Sequence, residues 1–181
     1  MNIGERNFII SKVHENIDKI LNRLNMFSRD IVCFYEPANM NAIKFFEKKF
    51  NVTLPYDYKY LLSMTNGFSL MGNSIYGVMD DLSSGNQDLF SIYKYEHECT
   101  YIPQYWYLVP FAPDGGGNFY CFDTRDITDD NPLCKIVFWQ SNYQYSEDDQ
   151  PEITHDNMME FISECIINWT LECYDYNGDP L

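Results

Sequence analysis

The chain of 181 residues is 45% hydrophobic and 17% aromatic, which argues for one packed domain and against disorder. Its net charge of −15 arises after residue 60, where twenty acids face only Lys94, Arg125 and Lys135, while residues 1–60 carry a net of +2. Such a field repels nucleic acid and anionic membranes and draws in basic partners, and no run reaches the roughly 18 apolar residues of a membrane span.

Met1 to Asn7 runs into a charged helical pattern without the apolar core of a signal peptide, so a cytoplasmic protein is expected. Val13, Ile17, Ile20, Leu21 and Leu24 follow helical spacing and predict an amphipathic helix over about 8–25. A short apolar run, Ile31 to Tyr35, leads to Pro37, which is placed to open a helix near 38–50 striped by Ile43, Phe46 and Phe50. The stretch from Leu54 to Phe68, L-P-Y-D-Y-K-Y-L-L-S-M-T-N-G-F, predicts a second helix over 55–65. Pro55 suits the first helical position, because its fixed φ is pre-organised and its missing N–H is not needed there. Leu54, Tyr58, Leu61 and Leu62 form one apolar stripe, and Asn66-Gly67 supplies a left-handed stop.

Beyond Gly67 the period changes. Phe68, Leu70, Ile75, Tyr76 and Val78 lie in short runs broken by Gly72-Asn73 and Gly77, a hairpin pattern. Asp80 to Asn86 reads as a polar loop and Leu89 to Glu98 as a short helix. Strands are expected at Trp106 to Phe111, ending at Pro110 or Pro113, and at Phe119 to Phe122 and Lys135 to Trp139, the last two as antiparallel neighbours. Asp126 to Pro132 and Ser141 to Pro151 read as solvated acidic loops. Met158, Phe161, Ile162, Cys165, Ile166 and Trp169 stripe a closing helix, with Thr154 as its expected N-cap. Helices, then strands, then one helix make an α+β domain: N-terminal helices, a central mostly antiparallel sheet and a C-terminal helix packed on it. Leu61, Leu62, Phe122, Phe138 and Ile162 are the expected core.

Chemistry-bearing motifs are scarce. Gly115-Gly116-Gly117 reads as a hairpin turn and not a phosphate cradle, because a strand follows it where a helix N-terminus is required. The six cysteines form no C-x-x-C, and His14, His97 and His155 are spaced to pair with none of them, so neither metal nor disulfide nor cofactor is expected. EF-hand registers through Gly85 or Gly178 fail at the ligand positions, which leaves an irregular site among Asp126, Asp129 and Asp130 as the open calcium alternative. No nucleophile elbow, zinc-hydrolase helix, Walker loop or dinucleotide fingerprint is present, and adjacent acids such as Asp80-Asp81 or Asp148-Asp149 suit a solvated loop better than acid–base work. Fifteen tyrosines suit both a half-exposed sheet and a protein interface. The acidic balance likewise suits either solubility or the steering of a cationic partner.

Two segments carry a resemblance. The L-P-x-D-Y junction with its N-G stop, and the run from Val109 to Asp123 with its D-G-G-G turn followed by Ile136-Val137-Phe138-Trp139, resemble the SUKH superfamily of fungal cell-wall-synthesis regulators and bacterial toxin-immunity proteins. After Trp139 the chain departs from the family pattern, with Gln140-Ser141-Asn142 in place of an acidic or histidine-bearing turn. The likeness spans about 38–169 of a single domain over 1–181, leaving 1–37 as a helical extension. It implies a non-enzymatic protein-binding domain, most sharply an immunity protein whose partner is a cognate toxin, possibly a basic nuclease. The alternatives are a regulatory scaffold of the cell-wall type and, less favoured, a carbohydrate-binding protein or hydrolase. The expected partner-binding residues are Asp80, Asp81, Trp106, Asp114, Tyr143, Tyr145, Glu147, Asp148 and Asp149, with no nucleic acid, no membrane and no cofactor involved.

Overall fold

The computed structural model describes residues 3–79 and 88–181. Helix α1 (Ile3–Leu24) buries Val13, Ile17, Ile20 and Leu24 along one stripe, as their spacing requires. Strand β1 (Val32–Phe34) follows, then α2 (Met40–Phe50) and α3 (Tyr56–Met64). Pro37 does not open α2: the carboxamide of Asn39 accepts from the Asn41 N–H and caps it, which leaves Pro37 in the extended lead-in. Pro55 is the N-cap residue of α3, with φ −66°, and Thr65 ends that helix.

Asn66-Gly67 is not the left-handed stop expected for α3, which ends at Thr65 in extended backbone (φ −154°); the pair builds the turn that follows. The Asn66 carboxamide accepts from Val78 N–H at 2.7 Å and donates to Val78 C=O at 3.0 Å, so it pairs like a piece of strand. Gly67 has φ +80°, and a Cβ there would lie 2.3 Å from the Ile75 carbonyl oxygen and 2.9 Å from the Gly77 nitrogen. Both obstacles are backbone, so Gly67→Ala should destabilise the fold by about 2 kcal/mol, read as a lower urea midpoint with unchanged m. A midpoint equal to wild type would mean that this turn adapts freely.

Strands β2 (Phe68–Leu70) and β3 (Asn73–Ile75) form the expected hairpin, with Met71 (φ 49°) and Gly72 (φ 87°) both left-handed at its two-residue turn. Together with β1 they make an antiparallel three-stranded sheet. Among the described residues one backbone hydrogen bond, Tyr76 N–H to Phe111 C=O at 2.9 Å, joins it to a second sheet, so the expected central sheet is two sheets edge to edge. Between them lies α4 (Leu89–Lys94), continued by a π-helical turn, Tyr95–Cys99.

The second sheet is an antiparallel meander of β4 (Leu108–Pro113), β5 (Phe119–Asp123), β6 (Ile136–Trp139) and β7 (Glu152–His155). β7 is an addition to the expected strands. Thr154 therefore does not cap the closing helix; it lies in β7, its hydroxyl donating to the Ile136 carbonyl, and Asn157 caps instead by accepting from Glu160 N–H at 3.1 Å. The closing helix runs through α5 (Met158–Phe161), a π-helical stretch (Ile162–Asn168) and α6 (Trp169–Cys173).

The alternation of β5 and β6 builds two cores. Phe122 and Ile136 face the helices, where Phe122 stacks on Phe111 and Phe111 meets Phe161 edge-on. Phe119, Cys121, Val137 and Trp139 face the other way, into a second cluster with Tyr76, Leu108 and Tyr145, roofed by Tyr105 and Tyr107. Leu61, Leu62, Phe122 and Ile162 are buried as expected. Phe138 is the exception: it is only half-buried, standing in register between Tyr120 and the exposed Glu152, while its neighbour Trp139 points to the opposite face and is fully buried there.

Candidate protein-interaction surface

At one end of the second sheet the β4–β5 turn, the loop after Trp139 and the segment after α4 are tied together by polar side chains. The Asp114 carboxylate accepts from Gly116 and Asn118 N–H and from the Asn118 carboxamide, closing the turn on itself. Desolvation would raise its pKa, but these hydrogen bonds outweigh it and hold the carboxyl below the usual range. Asn118 in turn accepts from Ser141 N–H at 3.2 Å, and the Ser141 hydroxyl donates to Glu96 at 2.9 Å. Asn142, at φ 58°, accepts from the N–H groups of Tyr101 and Ile102. The Gln140-Ser141-Asn142 departure from the family turn is thus the knot that fastens this end.

Tyr143 and Asp149 meet, the phenol donating to the carboxylate, and that hydrogen bond raises the Tyr143 pKa. Glu147, Asp148 and Asp149 are all exposed on this loop, and so is Asp114 on the neighbouring turn. Tyr145 differs from the expectation of an exposed loop tyrosine. It is buried, its ring 4.7 Å from Trp139 and its hydroxyl accepting from Gln140 N–H, so it anchors the loop from beneath. Trp106 is 62% exposed but stands apart, its ring edge-on to Tyr107 and its carbonyl accepting from Tyr93 hydroxyl at 2.6 Å. Tyr107 is covered by the Arg125 guanidinium, which is itself gripped by Asp123 in a bidentate pair. Asp80 and Asp81 lie outside the described residues. The coherent surface is therefore Asp114, Tyr143, Glu147, Asp148 and Asp149, with Tyr101, 95% exposed, beside it.

Three buried carboxyl groups escaped the sequence reading. Asp57 is held by Tyr58 N–H, Asp88 caps α4, and Glu96 is held by Ser141, its pKa raised by desolvation against the pull of that hydroxyl. No hydrogen bond joins any two of them among the described residues, so they form no acid–base pair. Glu96 left a signal, because it continues the apolar stripe of Leu89 and Tyr93, where a charge is out of place. All six cysteines are free thiols, and among the described residues no three or more His, Cys, Asp or Glu side chains are grouped to hold a metal. No helix among the described residues is long and apolar enough to cross a membrane.

An α+β domain with two antiparallel sheets, a helix packed on one face and an acidic, tyrosine-bearing loop end is the class of protein defined here. The family model described as SMI1-KNR4 cell-wall, SUKH_6, matches residues 40–162, about two-thirds of the chain, and the chain belongs to this SUKH family. No curated protein matches it closely enough to count as a relative. The matched stretch starts at α2 and ends within the closing helix, so α1 lies outside it.

Proposed function

We propose that the chain is a non-enzymatic protein-binding domain, an immunity protein that neutralises a cognate toxin, and that the toxin is basic. The observation that carries this reading is the loop end, where Glu147, Asp148 and Asp149 project beside Tyr143 from a scaffold with twenty acids against three bases after residue 60. A basic nuclease, whose active site must attract phosphates, is the toxin class such a surface suits. Charge steers the encounter, and a few tyrosines and desolvated acid–arginine pairs then hold the complex.

The test is association kinetics with the product of a neighbouring toxin-like gene, after co-purification of the two. The association rate constant should fall by on the order of tenfold between low and high salt, while dissociation changes much less. Replacing Glu147, Asp148 and Asp149 by their amides should slow association, and Tyr143→Ala should speed dissociation. An association rate indifferent to salt would remove the electrostatic mechanism. If neither set of variants alters binding, this face is not the interface. A second reading, a regulatory scaffold, is favoured by the cell-wall description of the matching family, and it predicts binding to a cell-wall-synthesis component in place of a toxin.

A further inference from the structure

The geometry points to strand addition at β7: the acidic surface continues along the outer edge of this strand, which takes an extended cationic segment of the partner. The inference rests on the reading of the chain as a protein-binding domain. β4, at one side of the second sheet, is met by Tyr76 through its N–H to Phe111. β7, at the other side, pairs only with β6, and no backbone hydrogen bond joins Glu152–His155 to any other element among the described residues. A strand in that position presents unpaired N–H and C=O groups along its free side.

The side chains say what belongs there. Pro110, Cys121, Val137 and Ile153 stand in register across β4, β5, β6 and β7. The first three are buried, and Cys121 and Val137 belong to the second core, whereas Ile153 is 60% exposed. An apolar row that runs out to a bare isoleucine lacks its next member. The register places Glu152 opposite Phe138 and His155 opposite Ile136, on the other face, and Thr154 is the extra residue of a bulge between them. Glu164 lies 3.7 Å from His155 on that face.

A second copy of the chain is a poor occupant. It would set Glu152 and Glu147 to Asp149 against themselves on a molecule already at −15. Pro151, the bulge and these charges are the devices by which sheets avoid pairing with their own kind. The same charges are complementary to a strand that alternates apolar and basic residues, the apolar ones covering Ile153 and the basic ones reaching Glu152 and Glu164.

The probe is a capped pentapeptide, Lys-Val-Lys-Val-Lys, added to the full chain and followed by backbone NMR and amide hydrogen exchange. Slowed exchange within residues 152–155 is expected, with affinity weakened at least tenfold by N-methylation of alternate peptide amides, which keeps the charge and removes the ladder donors. Ile153→Lys should weaken binding by a similar factor, and its fold is checked by an unchanged urea midpoint. Equal binding of the N-methylated peptide, changes confined to residues 143–149, or a β7-mediated dimer without peptide would each overturn strand addition. Any of these leaves the partner-binding reading standing, since that is decided separately by salt-dependent association with the whole partner.

Discussion

Replacing Trp139 by alanine should destabilise the fold by about 3–5 kcal/mol, the range for emptying a large aromatic site in a packed core. The indole is 1% exposed, with Tyr105 edge-on at 5.1 Å and Tyr145 at 4.7 Å, and it stands opposite Phe119 in the β5–β6 ladder. No rigid element behind it is free to close the gap, because Cys121 and Val137 are pinned in the sheet. One effect works against the loss: among the described residues the buried indole N–H finds no hydrogen-bond acceptor, so its removal also removes a donor left unpaired there. Trp139→Phe, which deletes that donor and keeps most of the apolar area, should therefore cost less than half as much. Urea titrations of both variants separate the two contributions, and a phenylalanine variant as damaged as the alanine one would show that the donor has a partner. The functional consequence is local. Tyr145 sits on Trp139 and carries the loop of Tyr143 and Asp149, so the alanine variant should also speed amide exchange across residues 141–149.

Much of this architecture was legible in the residues, and the boundary of legibility has physical causes. Helix α3 announced itself through Pro55 and the Leu54, Tyr58, Leu61 and Leu62 stripe, since a proline-fixed start and a 3.6-residue apolar period leave little choice. β5 and β6 were equally plain, because consecutive aromatic and β-branched residues can bury both faces of a sheet. β7 was not, since Glu-Ile-Thr-His is short, half-exposed and without an apolar run, as an edge strand tends to be. Its absence then displaced the helix cap onto Thr154, although Asn157 followed three residues later by Glu160 is the better capping signal. The interaction surface was only partly readable. Acidity of the loop is a matter of composition, but whether a tyrosine lies above or beneath that loop depends on the second core. Tyr143 and Tyr145 are two residues apart with opposite fates, one exposed and one under the loop against Trp139. No local pattern distinguishes them.

The other large effect belongs to Asp57, the acid of the L-P-Y-D-Y junction. Its side chain is 1% exposed, Tyr58 N–H donates to Oδ1 at 2.9 Å, and among the described residues Oδ2 meets the hydrogen-bond criterion with no donor, although the Met158 backbone N–H also acts on the carboxyl. Burial pushes its pKa up to about 7, against the pull of the nearby backbone N–H groups. In the unfolded chain the same carboxyl titrates near about 3.9. The folded state therefore holds this proton over a window, from about pH 4 to about pH 7, in which the unfolded state has released it. Its favourable share of stability is complete below the unfolded value and is lost as pH rises towards 7. The gap between the two values corresponds to about 4 kcal/mol. Asp57→Asn should come close to the protonated acid at low pH, because it is uncharged, similar in shape and keeps an acceptor oxygen for the Tyr58 N–H, and it cannot ionise. The variant should thus be close to wild type at pH 4 and more stable by about 4 kcal/mol at pH 8, with the difference growing between. Glu96 acts in the same direction as Asp57, and Asp114 and Asp175, whose pKa values are lowered, act in the other, so the wild-type curve alone mixes several groups. Subtracting the wild-type stability from that of the variant at each pH cancels them and leaves Asp57. A difference that stays constant from pH 4 to pH 8 would mean that Asp57 ionises in the fold as readily as in the open chain, and that Oδ2 has a partner strong enough to hold its charge.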